Sequence, residues 1–173
     1  MSNQPNSQDT NVNPTAEQQS DVLNEENWVV QKLPYTEDVA PLGFLQLCAD
    51  RRFHRDIQEQ FQRDAGLASS TDYWIHSDAG GTPKMENQHI APDYCYNKKG
   101  VRLMGWSAHG DGCGGYGEDV PDDVIKRDLL ATVESKRTRY KDAQHFVYFV
   151  TAKRERGTEE TVVHSMVCGK GSD

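Results

Sequence analysis

The sequence predicts an α/β domain with a mostly parallel central sheet flanked by helices and a β ribbon at its C-terminal end. Three observations carry this expectation. Leu42-Gly43-Phe44-Leu45-Gln46-Leu47-Cys48-Ala49 is almost continuously apolar, as a strand covered on both faces must be. Apolar residues spaced by four follow it directly, which is helical spacing. Strand-like and helix-like segments then alternate along the chain, the order that builds parallel sheets.

The 173 residues suffice for one domain with a sizeable core and are too few for two. Residues 1–31 hold five acids (Asp9, Glu17, Asp21, Glu25, Glu26) and no Lys or Arg, so this stretch supplies −5 of the net charge of −8. It is rich in Asn, Gln, Ser and Thr and nearly lacks large apolar residues before Val22. Such a stretch buries too little surface to offset its ordering entropy. Residues 1–25 are therefore expected to form a disordered acidic, polar tail, and 26–173 a single domain. Order is expected to begin near Trp28, Val29 and Val30.

The first strand ends at Cys48 and Ala49. Phe53, Ile57 and Phe61 mark an amphipathic helix that ends before Gly66. Tyr73-Trp74-Ile75-His76 reads as a second strand, closed by the turn-prone Asp78-Ala79-Gly80-Gly81 and Pro83. Residues 82–100 are polar and irregular, a connecting loop with room for a short helix. Val101 to Trp106 is a third strand running into His109. Five glycines in residues 110–118 predict a loop. Pro121 with Asp122 and Asp123 opens a second long helix, since proline suits the first turn and acids favour its dipole. Val124, Ile125, Leu129, Leu130 and Val133 are its expected apolar face. His145–Ala152 and Thr161–Cys168 are rich in β-formers, with Gly157 between them.

No basic patch points to nucleic acid. No apolar run approaches the ~18 residues that span a bilayer, and the first residues lack a secretory signal's basic and apolar regions. A cytoplasmic protein is expected, in which four cysteines serve as metal ligands or buried thiols rather than disulfides.

Ligand sites in open α/β sheets gather beyond the carboxyl ends of the strands. Cys48 follows the first strand there, and His109 and Cys113 follow the third. Thiolate and imidazole are donors that zinc prefers, and a catalytic zinc keeps a position for water. The fourth position stays open to water or a carboxylate. Asp50 and Arg52 stand close to Cys48 in the chain. Asp111 is expected to be a turn residue, with a place near the metal or at the pocket mouth as the alternative. Cys95 and Cys168 are expected to be ordinary thiols. His54, His76, His89, His145 and His164 are expected at the surface or in packing. The glycine-rich loop lacks the Lys-Ser/Thr ending of a phosphate-binding loop.

Cys48-Ala49-Asp50-Arg51-Arg52 matches the Cys-x-Asp-x-Arg motif of β-class carbonic anhydrases. His109…Cys113-Gly114-Gly115 resembles that family's His-x-x-Cys-Gly-Gly, and Trp74 to Gly81 resembles its strand and turn between the two motifs. The resemblance covers about residues 44–133. It implies one zinc ion per chain held by Cys48, His109 and Cys113, and reversible hydration of carbon dioxide to bicarbonate by zinc-bound hydroxide. Asp50 would accept a hydrogen bond from that hydroxide, and Arg52 would orient Asp50. The resemblance further implies a homodimer or larger homo-oligomer, with Trp28, Val29 and Val30 on an arm against the neighbour. Carbonyl sulfide and carbon disulfide are alternative substrates for the same ligands. A non-catalytic zinc-stabilised binding module is the alternative outside enzymes. The second motif departs from the family by one residue, having Gly110, Asp111 and Gly112 between histidine and cysteine. Ser77 and Asp78 also replace a usual Arg-Asn pair.

Overall fold

A computed structural model describes residues 41–117, 119–155 and 158–169, without the side chains of 153–155, 158 and 159. They fall in one compact unit. The expected tail, its boundary at residue 25 and the Trp28–Val30 arm lie outside the described residues.

Five strands form one sheet: β1 (Gly43–Cys48), β2 (Tyr73–Asp78), β3 (Leu103–His109), β4 (Gln144–Glu155) and β5 (Thr158–Cys168). Their order is β2-β1-β3-β4-β5. β1 pairs parallel with both β2 and β3, β3 pairs parallel with β4, and β5 returns antiparallel along β4. The predicted mostly parallel sheet with a terminal ribbon is what the chain forms.

Two long helices cover the faces. α1 (His54–Ala65) presents Ile57 and Phe61 to Leu45, Leu47, Phe146 and Tyr148. It ends at Gly66, whose φ of 68° puts it in the left-handed conformation that closes a helix. Phe53 lies on the same stripe but belongs to a 3-10 turn, Arg51–Phe53, capped by Asp50. On the other face α4 (Asp122–Arg139) buries Ile125, Leu129 and Val133 against Phe44, Met104, Trp106 and Val147.

Two local expectations need correction. Leu130, assigned to the apolar face of α4, is 44% exposed, whereas Thr132 and Lys136 are buried. Lys136 lies along Trp106 and donates through Nζ to the carbonyl oxygens of Met85 (3.4 Å) and Glu86 (2.8 Å), so its stem packs while its charge is partnered. Residues 82–100 hold more structure than a loop with one short helix. They form α2 (Gly81–Lys84), α3 (Ile90–Asp93) and a π-helical turn (Tyr94–Lys98). Pieces of four or five residues show too little of a period to be read from sequence.

The β1–β3 ladder spans only Gly43–Gln46 with Leu103–Trp106. Beyond it the strands part and the start of α2 fills the gap. The Ser107 amide donates to Thr82 Oγ1 at 3.0 Å, and Ser107 Oγ donates to the Gln46 carbonyl at 2.8 Å. Only glycine fits at 81: a Cβ there would come within 2.6 Å of the Ser107 carbonyl oxygen, and φ is +64°. The chain leaves β1 toward β2 on one side and enters β3 on the other. This makes the β1–β3 crevice the topological switch point, where such sheets hold ligands.

Candidate metal centre

Cys48 ends β1 and His109 ends β3, so each stands where the two strands have parted. The loop after β3 turns back through Gly110, Asp111 and Gly112 to bring Cys113 beside them. One ligand atom from each of Cys48, His109 and Cys113 lies within 4.8 Å of the other two, and all three residues are buried. The Cys48 and Cys113 sulfurs are 3.9 Å apart.

The His109 ring is oriented by two contacts. Nδ1 donates to the Gly110 carbonyl at 2.7 Å, and Phe53 packs against the ring at a centroid distance of 5.1 Å. That bond fixes the tautomer, leaving the Nε2 lone pair turned toward the sulfurs. Nε2 is sealed from solvent and has no hydrogen-bond partner. Native proteins rarely leave a buried polar atom orphaned without a reason.

The two thiols share a proton. Cys113 donates to Cys48 and holds its pKa down to about 4, helped by His109 and by the backbone amides of Asp50 and Gly80. Cys113 is pushed up correspondingly, because it keeps the pair's proton and burial opposes its charged form. The amides of Gly115 and Tyr116 counter this in part. Burial opposes the charged form of His109, but the Cys48 sulfur and the Gly110 carbonyl outweigh it and raise the pKa.

Asp50 stands beside the triad, its Oδ2 3.8 Å from His109 Nε2. Arg52 grips this carboxylate in fork geometry, with Nε 3.1 and 2.9 Å from the two oxygens and Nη2 2.6 Å from Oδ2. The Arg52 amide adds a 3.0 Å bond to Oδ1. The guanidinium holds the Asp50 carboxyl below the usual carboxylate range and is itself held charged. Asp50 remains one-quarter exposed, so it faces solvent on one side and the triad on the other.

The structure thus brings together all five residues singled out in the sequence. Asp111 is exposed in a left-handed turn, as expected, with its carboxylate on the Ala152 amide. His54 donates from Nε2 to the Cys48 carbonyl at 2.6 Å, and His76 contacts Gln46 at 3.3 Å. Cys95 is buried in apolar surroundings that push its thiol up to about 11, and Cys168 is half-buried.

Sequence reasoning missed the amide cradle around the sulfurs. The Gly80 amide serves Cys48 and the Gly115 amide serves Cys113. The two loops meet backbone to backbone, since a Cβ on Gly115 would lie 2.2 Å from the Gly80 nitrogen. The signal lay in the paired glycines 80–81 and 114–115, which mark close backbone approach.

The donor set fits a soft or borderline divalent cation. Two sulfurs and an imidazole nitrogen converge in a buried site, a lone pair is unused, and a fourth side is faced by a carboxylate rather than by another Cys or His. Fold and site together define a class: parallel α/β proteins carrying a Cys-His-Cys donor triad at the switch point of the sheet.

Comparison with known proteins adds little to this class. No protein-family model matches the chain, and no curated protein matches it. Among solved structures it is similar to a β-carbonic anhydrase of the filamentous ascomycete Sordaria macrospora, described as tetrameric. The match covers 70% of this chain and 83% of that one at 14% identity, with a TM-score of 0.41. At that identity and score the likeness decides neither family nor activity.

Proposed function

We propose that the chain is a zinc-dependent lyase that hydrates carbon dioxide reversibly to bicarbonate, with Cys48, His109 and Cys113 as ligands of one zinc ion. The observation that carries this reading is the buried, unpartnered His109 Nε2 facing two sulfurs, with an Arg-clamped carboxylate at its side. Zinc in such a site supplies a Lewis acid that lowers the pKa of a coordinated water to about 7. Occupation would displace the proton shared by Cys48 and Cys113, so metal uptake releases protons.

The remaining roles belong to the chain. Asp50 is a hydrogen-bond acceptor beside the triad and would orient a nucleophilic water toward the substrate carbon. Arg52 keeps that carboxylate ionised and aimed. The backbone amides on the sulfurs share the thiolate charge and fix the direction of their lone pairs. The sequence motif Cys48-x-Asp50-x-Arg52 supports the same assignment. Carbonyl sulfide and carbon disulfide place a similar electrophilic carbon before the same groups and are assayed as alternative substrates. The enzyme is expected to work as a homodimer or larger homo-oligomer in the cytoplasm.

A zinc-stabilised binding module without catalysis is the second reading, favoured by the extra residue between His109 and Cys113. The Asp50–Arg52 clamp speaks for the enzyme, because a purely structural zinc takes a fourth Cys or His and has no use for an oriented carboxylate.

Stopped-flow carbon dioxide hydration and metal analysis on the same preparation, for wild type and Asp50→Asn, separate these readings. The enzyme reading expects zinc near one per chain in both proteins. It also expects a rate that falls by about 10²-fold or more in the variant, the size of effect of one positioned polar group. Zinc at that level without hydration above background between about pH 6 and 9, and with no turnover of the two sulfur substrates, leaves the binding module. A chain that retains no zinc sinks both readings.

A further inference from the structure

Asp111 is the residue inserted between the two halves of the second motif, and its conformation is unusual. Among the described residues it is the only non-glycine with positive φ, at 54°. That region is strained for an ordinary L-residue, and Asp and Asn visit it most readily. Glycines flank it on both sides, so a third would have relieved the strain. The retained carboxylate has a partner that explains it. β3 pairs with β4 as far as His109 with Val150, and Gly110 donates to the Val150 carbonyl at 2.8 Å. The Ala152 amide comes next along that edge of β4, where β3 has already ended. The Asp111 carboxylate accepts from it and adds a rung to the ladder.

The other two polar groups of Asp111 reach different elements. Its amide donates to Asp122 Oδ1 at the start of α4, at 3.1 Å. Its carbonyl accepts from Arg52 Nη2 at 3.3 Å. Arg52 is a long, half-exposed side chain with many rotamers open to it, and a second fixed acceptor narrows its range.

We propose that Asp111 is a positioning residue of the site: pinned to β4 by its carboxylate, it presents its carbonyl to Arg52 and so holds the guanidinium on Asp50. The inference rests on the reading of Asp50 and Arg52 given above and extends it to the loop between His109 and Cys113. The loop that carries Cys113 thereby also sets the direction of the Asp50 carboxylate.

The test reads Arg52 itself. In ¹H–¹⁵N spectra of the full chain, with and without zinc, the Arg52 Nε–H signal is assigned by its loss in Arg52→Lys. Its exchange with water is then measured in wild type, Asp111→Gly, Asp111→Asn and Ala152→Pro. Asp111→Gly keeps the turn and removes the carboxylate; Ala152→Pro removes the amide it accepts from. Both are expected to speed exchange about tenfold or more, while Asp111→Asn, which can still accept from Ala152, stays within about twofold of wild type. An Arg52 signal as protected in Asp111→Gly as in wild type overturns the proposal, even if the melting temperature falls, because that is the mark of a purely structural turn. Should Asp111→Gly not fold, Ala152→Pro reports the same tie. A wild-type Arg52 that exchanges like free arginine overturns the proposal without any variant. Absence of zinc binding would sink the metal reading and leave the Arg52 result standing, so the two failures are distinguishable.

Discussion

Lys136 and Asp50 illustrate opposite ways of handling charge in one small domain. Asp50 keeps solvent on one side and gains a fork of arginine bonds, so its charged form is favoured. Lys136 is 1% exposed, and burial brings its pKa from 10.5 down to about 8. Arg139 adds to the fall, while Glu86 and Asp93 oppose it, and His89 Nδ1 lies 3.3 Å from the amine. Between pH 8 and 10.5 the unfolded chain still carries a proton that the native lysine has lost. Stability from this residue therefore rises with pH across that window and is lowest where the amine is charged. Urea midpoints measured from pH 7.5 to 10.5 should show that rise in wild type relative to Lys136→Met; parallel curves would rule the account out. Cys48, Asp50, Arg52, His109 and Cys113 were legible in the sequence because the ligand types and the Cys-x-Asp-x-Arg spacing are local. The work of Asp111 was not, since its partner Ala152 is 41 residues away and meets it only because β3 stops short of β4.

At the scale of elements, two glycine turns decide whether the donors meet. Gly81 lets α2 enter the split between β1 and β3, and Gly115 lets the loop after β3 lie on the Ala79–Gly80 turn. Gly114 and Gly115 are neighbours with different jobs. A Cβ on Gly115 would come within 2.6 Å of backbone atoms of Ala79 and Gly80, whereas one on Gly114 meets nothing within 4 Å. Gly115→Ala is expected to cost about 1–3 kcal/mol, the range for forced overpacking, and to weaken zinc binding by about 10-fold or more as the amides on both sulfurs shift. Gly114→Ala should behave as wild type in the same chelator competition and thermal melts. Equal effects of the two substitutions would mean that the loop contact does not position the donors. β1 was readable from its apolar run and α1 from its four-residue spacing with a glycine stop. The helical turns between Gly81 and Lys98 were not, because burial of Pro83, Met85 and Cys95 holds them rather than any repeat of their own.

For the whole molecule, the edges of the sheet matter most. Among the described residues β2 is an edge strand with Trp74 37% and Ile75 46% exposed, and Tyr94 stacks edge-on against Trp74 at 5.9 Å. At the other edge β5 exposes Met166 and Val167, each about half. Sheet edges with apolar side chains invite pairing. A second copy is expected to cover at least one of them, giving a particle of at least twice the 19.5 kDa chain mass in light scattering. A monomer at micromolar concentration would reject that expectation. No helix among the described residues is long and apolar enough to cross a membrane.

What the sequence determined by itself was the class of fold and which side chains are candidate donors. Strand burial, helical spacing and ligand chemistry are written in neighbouring residues, where solvent and backbone geometry act directly. Tertiary structure alone decided that β1 and β3 separate after Gln46 and Trp106, that the start of α2 fills the gap while the Gly115 loop lies on the Ala79–Gly80 turn, and that Asp111 bridges Arg52 to β4. These outcomes depend on backbone surfaces far apart in the chain approaching within van der Waals distance. Such approaches are fixed only when the whole sheet has closed on its two helices.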